Sequence, residues 1–387
     1  MTQHQKGGAM TVEIKARRIL IIGGGFSGMT AALEFARAGD AVEIVEIDPD
    51  WRSYGAGISL HGATLRVMQR IGIYDAYLAV GAVTDGVDMR SPLDDRVVLS
   101  MPTPNVGPGL AGGGAVMRPV LAGLLRDAVR KTGIPVRLGE SFRSIEDGPD
   151  VVRVTFSDGS VGGYDLVVGA DGLYSATRRA VFPEAPTPRF IGQAVWRAVV
   201  ALPAGIERPT MWISGKLKAG LNLVSRDEAY LFVTENRPSN AFVDPGTFVS
   251  ALRELLTAFP SPILSQVREE LGDHSQIVYR PLEQLLLPRP WYRGRVVLIG
   301  DAVHATTPHL AAGACIGVED AVVLAESLAK TPDLQKALGM FEARRWERCR
   351  RVVEDSGRLG EIEINGGDQR EHAQIMTSAL HALVEPI

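Results

Sequence analysis

The pattern of hydrophobic and polar positions first alternates between strands and helices. An apolar run at residues 19–22 is followed by apolar positions at helical spacing, and a second apolar run at 42–45 ends on Glu46. Short apolar runs bounded by glycine are typical of buried parallel strands, and an amphipathic helix between two of them is typical of a βαβ unit. The pattern therefore predicts an α/β fold that begins near residue 17.

The same criteria predict further elements in both halves of the chain. Helices are predicted at 64–71, 118–131, 246–258, 313–328 and 376–383, a hairpin at 83–101, and a Gly- and Pro-rich loop at 102–114. Strands are predicted at 136–138, 151–156, 166–169, 193–202, 210–214, 220–225, 229–234, 276–280 and 295–299. Because five of these strands fall between residues 186 and 285, that stretch predicts a sheet-rich second domain.

The two ends of the chain lie outside these predicted domains. Residues 1–16 are predicted to be a flexible leader. Residues 361–387 are predicted to be a C-terminal tail, to which the pattern assigns no role.

Composition excludes several classes of protein. The chain has 387 residues, of which 45% are hydrophobic and 22% charged, and its net charge of -4 comes from interspersed charges of both signs. This gives no footprint for nucleic acid, and no apolar run approaches the roughly 20 residues that span a bilayer. The N-terminus lacks the apolar core of a signal peptide. Two cysteines are too few for a disulfide framework or a metal site, so we expect a reducing cytoplasm and no bound metal.

Three glycines after the first strand indicate a dinucleotide site. Gly23, Gly25 and Gly28 have the spacing G-x-G-x-x-G, which permits a tight turn, close approach of a pyrophosphate and close packing of helix on strand. The helix N-terminus offers free N–H groups to phosphates, and Glu46 can accept hydrogen bonds from a ribose. An acidic residue favours FAD or NAD over a 2′-phosphate, whereas a glycine turn that binds nothing would not need the acid.

Two further stretches make this interpretation more specific. They are DLVVGADGLYSATR at 165–178 and GDAVHATTPH at 300–309, the latter followed by VEDA at 318–321. With the glycine motif, they resemble the single-component FAD-dependent aromatic hydroxylases of the para-hydroxybenzoate hydroxylase fold, most closely the salicylate-hydroxylase-like branch. The resemblance covers about residues 17–350 and implies a Rossmann-like FAD-binding domain with an inserted β-sheet-rich substrate domain. The discontinuous FAD-binding domain would comprise 17–82, 106–184 and 286–360, and the substrate domain 83–105 and 185–285.

The resemblance implies roles in binding FAD for matching positions. These are Gly23, Gly25, Ser27, Gly28, Glu46, Gly57, Arg118, Asp171, Gly300, Asp301, Gly313 and Ala314. Arg118 would lie along the phosphates and ribityl chain, Asp301 would bind ribityl hydroxyls, and the helix that starts at Gly313 would point its N-terminus at the flavin. The alternatives are a solvated surface charge for Arg118 and an ordinary strand-ending turn for Asp171.

The resemblance also implies the reaction. NADH or NADPH would reduce FAD transiently, O2 would form a hydroperoxide at the flavin C4a, and a small aromatic or heteroaromatic ring would be hydroxylated. A base near neutral pH would help to deprotonate the ring substituent. His61 is a candidate because it lies on a segment that passes the flavin in this family. His309 is a second candidate catalytic residue, as a substrate contact, because it follows Pro308, whose family counterpart lies near the substrate and flavin. Structural roles are the alternatives for both histidines.

Candidate substrate-binding residues come mainly from the second domain. They are Trp196, Arg197, Trp212, Asn222 and Tyr230, together with Pro308. Trp196 and Arg197 could stack on an aromatic acid and pair with its carboxylate, whereas the alternative is a sheet tryptophan beside a solvated arginine. The family also leads us to expect a homodimer.

Three other functions remain open at this point. An epoxidase or an N-hydroxylase would share the fold, and a flavin-binding sensor or scaffold would bind FAD without turnover. The intact Gly300-Asp301 and Asp171-Gly172 pairs argue against the scaffold. A flavin-dependent halogenase is disfavoured because the sequence has no Trp-x-Trp-x-Ile pattern.

Overall fold

A computed structural model describes residues 16–104 and 106–387. The predicted leader therefore lies, except for residue 16, outside the described residues. The strands are β1 (Arg18–Ile22), β2 (Ala41–Glu46), β3 (Gly57–His61), β4 (Ala82–Thr84), β5 (Gly86–Arg90), β6 (Val97–Pro102), β7 (Gly113–Met117), β8 (Val136–Leu138), β9 (Phe142–Asp147), β10 (Val152–Phe156), β11 (Val161–Tyr164), β12 (Leu166–Gly169), β13 (Arg189–Ala201), β14 (Thr210–Ser214), β15 (Leu217–Leu223), β16 (Glu228–Asn236), β17 (Ile277–Gln284), β18 (Tyr292–Arg293) and β19 (Val296–Leu298). The α-helices are α1 (Phe26–Arg37), α2 (Gly62–Arg70), α3 (Tyr74–Leu78), α4 (Arg118–Thr132), α5 (Ala176–Val181), α6 (Phe248–Leu256), α7 (Pro262–Glu270), α8 (Asp301–His304), α9 (Gly313–Lys330), α10 (Leu334–Asn365) and α11 (Gln369–Val384).

The predicted βαβ unit is the centre of a six-stranded sheet. Its strand order is β18-β19-β12-β1-β2-β8, and β1 pairs in parallel with both β2 and β12, as β12 does with β19. Residues Ile19–Ile22 are buried, as expected for a strand covered on both faces. Because these strands run in the same direction, the loops after β1, β12 and β19 meet at one edge of the sheet.

A seven-stranded sheet is formed by the second part of the pattern. Its order is β17-β13-β16-β15-β14-β5-β6, and the five strands predicted between 186 and 285 are all present, several with longer bounds. Trp196, Trp212 and Leu231 belong to a core between one face of this sheet and helices α6 and α7. We call this the outer face and the opposite one the inner face. Arg197 is next to Trp196 in β13, and Tyr230 is next to Leu231 in β16, so both point to the inner face. Asn222 pairs directly with Tyr230 and lies on the same face.

Two local predictions needed correction. In the predicted hairpin at 83–101, β5 pairs with β6, but β4 pairs with β7 instead. The predicted loop at 102–114 ends early, because Gly113 and Gly114 already belong to β7. A Cβ on Gly114 would stand 2.1 Å from the Tyr77 hydroxyl oxygen, so close packing rather than a turn explains this glycine. Residue 105 of this loop lies outside the described residues.

The C-terminal helices pack around the first sheet. Helix α9 is largely buried and lies against α1 and α10. Helix α10 has 32 residues and ends where Gly366 adopts a positive φ of 67°. The predicted tail helix is α11, and it rests on α10 and α2. Among the described residues, no helix is long and apolar enough to cross a membrane.

Candidate active site

The glycine motif forms a tight turn between β1 and α1. Gly23 has a φ of 106°, and a Cβ there would lie 2.5 Å from the carbonyl oxygen of Ala170. A Cβ on Gly28 would lie 2.0 Å from the Gly23 oxygen, so this glycine permits the helix to pack on the strand. By contrast, a Cβ on Gly25 would meet nothing within 4 Å. The turn therefore leaves space beside the N-terminus of α1, where a pyrophosphate fits.

Glu46 lies next to this turn at the end of β2. Its carboxylate accepts hydrogen bonds from the backbone N–H groups of Gly24, at 2.7 Å, and Asp48, at 2.8 Å. The Trp51 indole donates to the Gly24 oxygen at 2.8 Å and is buried. These contacts fix the carboxylate at the edge of the turn, where ribose hydroxyls could share it.

The Gly300-Asp301 loop is held from behind by helix α9. Gly300 has a φ of 62°, and its N–H donates to the Asp320 carboxylate at 2.9 Å. The same carboxylate oxygen lies 2.5 Å from His304 Nε2, and the other accepts from Arg345 Nε at 2.7 Å. All three side chains are buried. Burial disfavours the charged imidazole, but the adjacent carboxylate outweighs it and raises the pKa of His304 well above its usual range.

Asp301, by contrast, is exposed to solvent. Surrounding protein raises the pKa of its carboxyl, opposed by the positive charges of His304 and Arg118. An accessible carboxylate of this kind can accept hydrogen bonds from sugar hydroxyls. Ser27 lies nearby, since a Cβ on Gly300 would approach its hydroxyl oxygen to 2.6 Å.

Asp171 has a structural task in the loop after β12. Its carboxylate accepts hydrogen bonds from the Ser175 hydroxyl at 2.5 Å and from the N–H and hydroxyl of Thr177 at 2.9 and 3.0 Å. Buried Arg178 then donates to the Leu173 and Ala302 carbonyl oxygens, both at 2.8 Å. Arg178 thus ties the Asp171-Gly172 loop to the Gly300-Asp301 loop, which the sequence did not suggest.

Arg118 begins α4 and lies between these loops and β3. Its guanidinium carbon is 5.4 Å from the centre of the Phe26 ring, and within the described part of the chain its buried Nε has no hydrogen-bond partner. Burial lowers the pKa of Arg118, whereas the neighbouring Asp301 raises it. A buried cation with an unused donor requires an anionic or polar partner. The diphosphate and ribityl groups of FAD fit this requirement.

The inner face of the seven-stranded sheet contacts β3 at Tyr230. The Tyr230 hydroxyl lies 2.8 Å from the Ser59 hydroxyl, and a Cβ on Gly57 would collide with the Tyr230 ring at 1.9 Å. Asn222 is directly opposite Tyr230 in the pairing of β15 with β16. Burial raises the pKa of Tyr230, and Arg197 and Arg118 oppose this shift. The inner face therefore brings the polar groups of Tyr230 and Asn222 close to β3.

Arg197 is also on the inner face. Burial lowers its pKa, with further lowering by Arg118 and Arg280, and Tyr230 opposes the shift. Its guanidinium forms no hydrogen bond or ion pair with another residue that the structure describes. Arg280 lies on the neighbouring strand, opposite Val195. Sequence reasoning missed Arg280, although it lies two residues after Val278 and two before Leu282 on β17, so that all three share one face.

The structure does not bring Trp196 and Trp212 to this site. Trp196 packs against Phe248 and Tyr279 and donates to Glu235 at 2.9 Å, while the Trp212 indole donates to Asp95 at 2.8 Å. Both are buried in the core of the outer face. The prediction that Trp196 would stack on an aromatic acid while Arg197 pairs with its carboxylate was wrong, because adjacent residues of a strand point to opposite faces.

Both candidate histidines hold the turn at Pro308–Leu310. His61 Nε2 lies 2.6 Å from the Leu310 carbonyl oxygen. His309 Nδ1 lies 2.8 Å from the Thr307 hydroxyl, and its Nε2 lies 2.9 Å from Gln193 Oε1. Burial lowers the pKa of each imidazole. Both nitrogens of His309 are thus engaged within the protein, so its expected role as a substrate contact is not supported by this geometry.

Beyond this turn, Ala311 has a φ of 52° and α9 begins at Gly313 and Ala314. The N-terminus of this 18-residue helix lies beside the turn, where its N–H groups favour negative charge. Sequence reasoning also missed what Asp320 does, although the VEDA block at 318–321 marked its position.

Comparisons with known proteins identify the family of this chain. A family model described as "FAD binding domain" matches residues 17–356. The chain is 34% identical to an aurachin C monooxygenase/isomerase of Stigmatella aurantiaca, with 89% of each chain covered. It is also 34% identical to a 2-heptyl-3-hydroxy-4(1H)-quinolone synthase of Pseudomonas aeruginosa, covering 89% of this chain and 90% of that one.

The crystal structure of Klebsiella pneumoniae HpxO with FAD and uric acid superposes with a TM-score of 0.79 at 25% identity, covering 95% and 93% of the two chains. The fold and these matches define a flavoprotein monooxygenase of the para-hydroxybenzoate hydroxylase fold. The chain belongs to the FAD binding domain family and, within it, to the single-component FAD-dependent monooxygenases.

Proposed function

We propose that this chain hydroxylates a small aromatic or heteroaromatic substrate, with NADH or NADPH as reductant, O2 as co-substrate and FAD as cofactor. The main supporting observation is the contact between the inner face of the sheet and β3, where the Tyr230 hydroxyl lies 2.8 Å from the Ser59 hydroxyl. FAD supplies the oxygen-transfer chemistry when bound. The protein holds the cofactor and substrate in the relative position that the reaction requires and excludes water.

For FAD, we propose that the residues around the three loops form the binding site. Gly23, Gly25, Ser27 and Gly28 would receive the diphosphate, and Glu46 the ribose. Asp301 and Arg118 would bind the ribityl and phosphate groups, with Gly57, Asp171, Gly300, Gly313 and Ala314 shaping the same site. The unpartnered Nε of Arg118 supports this assignment.

For the substrate, we propose a site on the inner face. Arg197 and Asn222 would orient the ring, Arg280 would add a second positive charge, and Pro308 would border the ring. The relatives support an electron-rich ring system, since one is named for a quinolone and the solved HpxO complex contains uric acid. Because Arg197 has no ionic partner within the described residues, a substrate with an acidic group would complete its interactions.

We assign His61 as the candidate base. Its Nε2 faces the Leu310 carbonyl oxygen, so Nε2 carries the hydrogen and Nδ1 carries the lone pair. Since burial lowers its pKa, the imidazole would be neutral at pH 7 and able to accept a proton.

A second class of function is a flavin-binding sensor or scaffold without turnover, and an epoxidase or N-hydroxylase remains an alternative within enzymes. The test is a visible spectrum of the purified protein followed by NADH and NADPH oxidation with hydroxybenzoates, aminobenzoates, hydroxypyridines and quinolones. One compound should stimulate oxidation strongly and yield a hydroxylated product. A flavin-loaded protein that responds to none of them would contradict the hydroxylase proposal, and an epoxide or hydroxylamine product would favour the alternatives.

We further propose a homodimer in a reducing cytoplasm, in line with the family resemblance and the two free, buried cysteines. Light scattering behind a sizing column would measure the mass directly. A value near 41.6 kDa at micromolar concentration would contradict the dimer.

A further inference from the structure

One carboxylate at the end of helix α10 gathers donors from four separate parts of the chain. Glu363 accepts from Lys218 Nζ at 2.6 Å, and His372 Nε2 lies 3.3 Å away. His309 Nε2 and Gln193 Nε2 each lie 3.5 Å from its other oxygen. The Glu363 side chain is only 15% exposed. A half-buried carboxylate with this many partners is costly to replace.

These partners link the turn at Pro308–Leu310 to the inner face. Gln193 is on the same strand as Arg197 and four residues before it, so both lie on one face. Lys218 pairs with Thr234, which pairs with Val195, and this places Lys218 on the inner face as well. His309 belongs to the turn itself. Glu363 therefore touches both the turn and the proposed substrate surface.

The turn needs such support because of its backbone. Ala311 adopts the left-handed region with a φ of 52°, which costs free energy for a residue with a side chain. His61 holds the turn at Leu310 from β3, and His309 holds it from the opposite side through Gln193. Gly313, two residues beyond Ala311, starts the helix that we propose to face the flavin. A shift of the turn would thus move the cofactor site relative to the inner face.

We propose that Glu363 is a positioning residue, which fixes the turn at Pro308–Leu310 against the inner face and so keeps reduction of O2 coupled to hydroxylation. This inference rests on the proposed function. It gives the C-terminal segment a task, because Glu363 and His372 both lie beyond residue 360. In the uncoupled reaction, NAD(P)H, O2 and a proton give NAD(P)+ and hydrogen peroxide, whereas in the coupled reaction one oxygen atom enters the substrate.

The test compares Glu363→Gln with Glu361→Gln in the FAD-loaded full chain. Glu361 is on the same helix, is exposed and pairs only with Arg358 among the described residues, so it is a matched control. We expect Glu363→Gln to lower the product formed per NAD(P)H oxidised by about three- to tenfold, since small misplacements of reacting groups have effects of this size. Hydrogen peroxide should account for the difference, and Glu363→Asp should recover part of the coupling.

A second readout does not depend on turnover. Amide hydrogen exchange at 307–312 should accelerate in Glu363→Gln and stay unchanged in the control. If the wild type hydroxylates nothing, the proposed function fails. Hydrogen exchange at 307–312 still shows whether Glu363 stabilises the turn. Wild-type coupling in Glu363→Gln, or equal uncoupling in Glu361→Gln, would overturn the inference. A lowered melting temperature with unchanged coupling would also overturn it in favour of a purely structural role.

Two milder variants cover the case in which Glu363→Gln does not fold. Lys218→Met and His372→Gln each remove one donor and keep the carboxylate. Each should produce a smaller loss of coupling. Wild-type coupling in both would overturn the inference.

Discussion

His61 is the residue at which position and chemistry are hardest to separate. Its contact with the Leu310 carbonyl oxygen braces the turn, and the same contact fixes the tautomer that a base would need. A brace and a base differ in their dependence on protonation. A base must be neutral to act, and burial lowers the pKa of His61 below its usual value of 6.5. Wild-type hydroxylation should therefore decline only as the pH falls below that value.

His61→Ala should retain FAD and slow product formation by about 10²- to 10⁴-fold, the usual contribution of a general base. The variant should also lose the decline at low pH, because the titrating group has been removed. Single-turnover hydroxylation between pH 5 and 8 would measure both effects. A slow variant that keeps the wild-type pH profile would restrict His61 to bracing the turn.

At the scale of elements, helix α9 connects the turn at Pro308–Leu310 with the Gly300-Asp301 loop, both of which we propose to border the cofactor. Its N-terminus lies beside the turn, and Asp320 further along it receives the N–H of Gly300 and the imidazole of His304. Arg345 of α10 balances the charge from the other side. The helix thus holds the backbone of the Gly300-Asp301 loop through Asp320.

Asp320→Asn should destabilise the fold by about 3–5 kcal/mol, because it leaves the buried charge of His304 without its carboxylate partner and leaves Arg345 with Glu319 alone. The affinity for FAD should fall as well, since the Gly300 loop loses its anchor. Asp333→Asn is a suitable comparison because Asp333 caps exposed backbone at the start of α10, where a change costs at most about 1 kcal/mol. Urea unfolding and flavin-fluorescence titration would measure both quantities. Wild-type values for Asp320→Asn would refute the anchoring role.

The elements also indicate what sequence can predict. Residues Ile19–Glu46 were predictable because a fully buried parallel strand, a glycine turn and a helix each leave a strong pattern. Strands β3 and β7 were missed because they contain glycine, and β9 because Phe142 and Ile145 are its only apolar residues. The side-chain alternation that sends Trp196 outward and Arg197 inward was readable in principle. Which face would meet FAD depends on how the sheet docks, and a strand pattern does not contain that.

At the scale of the whole molecule, the important contacts join residues far apart in the chain. Arg66 donates to the Val384 carbonyl oxygen at 2.9 Å, and Lys218 reaches Glu363. Pairings of this kind have no local signal, so no role for residues 361–387 could be predicted. Burial raises the pKa of Glu363, but the positive charge of Lys218 and the hydrogen bonds from His309 and His372 outweigh it and lower the pKa. The pKa of Asp320 is lowered in the same way by His304 and Arg345.

These two carboxylates predict the response of the fold to acid. A carboxyl whose pKa is lower in the folded than in the unfolded state stabilises the fold above its unfolded pKa, and that stability is lost as the pH falls through the range between the two values. The free energy of unfolding should therefore decrease as the pH falls below about 5. Urea midpoints from pH 7 to 4 would measure this, and Glu363→Gln should give a shallower slope. Equal slopes in variant and wild type would contradict the assignment.

The separation of the two faces of the seven-stranded sheet has a consequence for evolution and engineering. Outer-face residues such as Trp196 and Leu231 carry the hydrophobic core, whereas inner-face residues such as Arg197 and Asn222 contribute little to it. If the substrate lies on the inner face, as we propose, substitutions at positions such as Arg197 and Asn222 would change substrate preference at small cost in folding. A one-residue insertion in β13 would instead exchange the two faces. Mutagenesis libraries confined to inner-face positions should yield a high share of folded variants with altered substrate range.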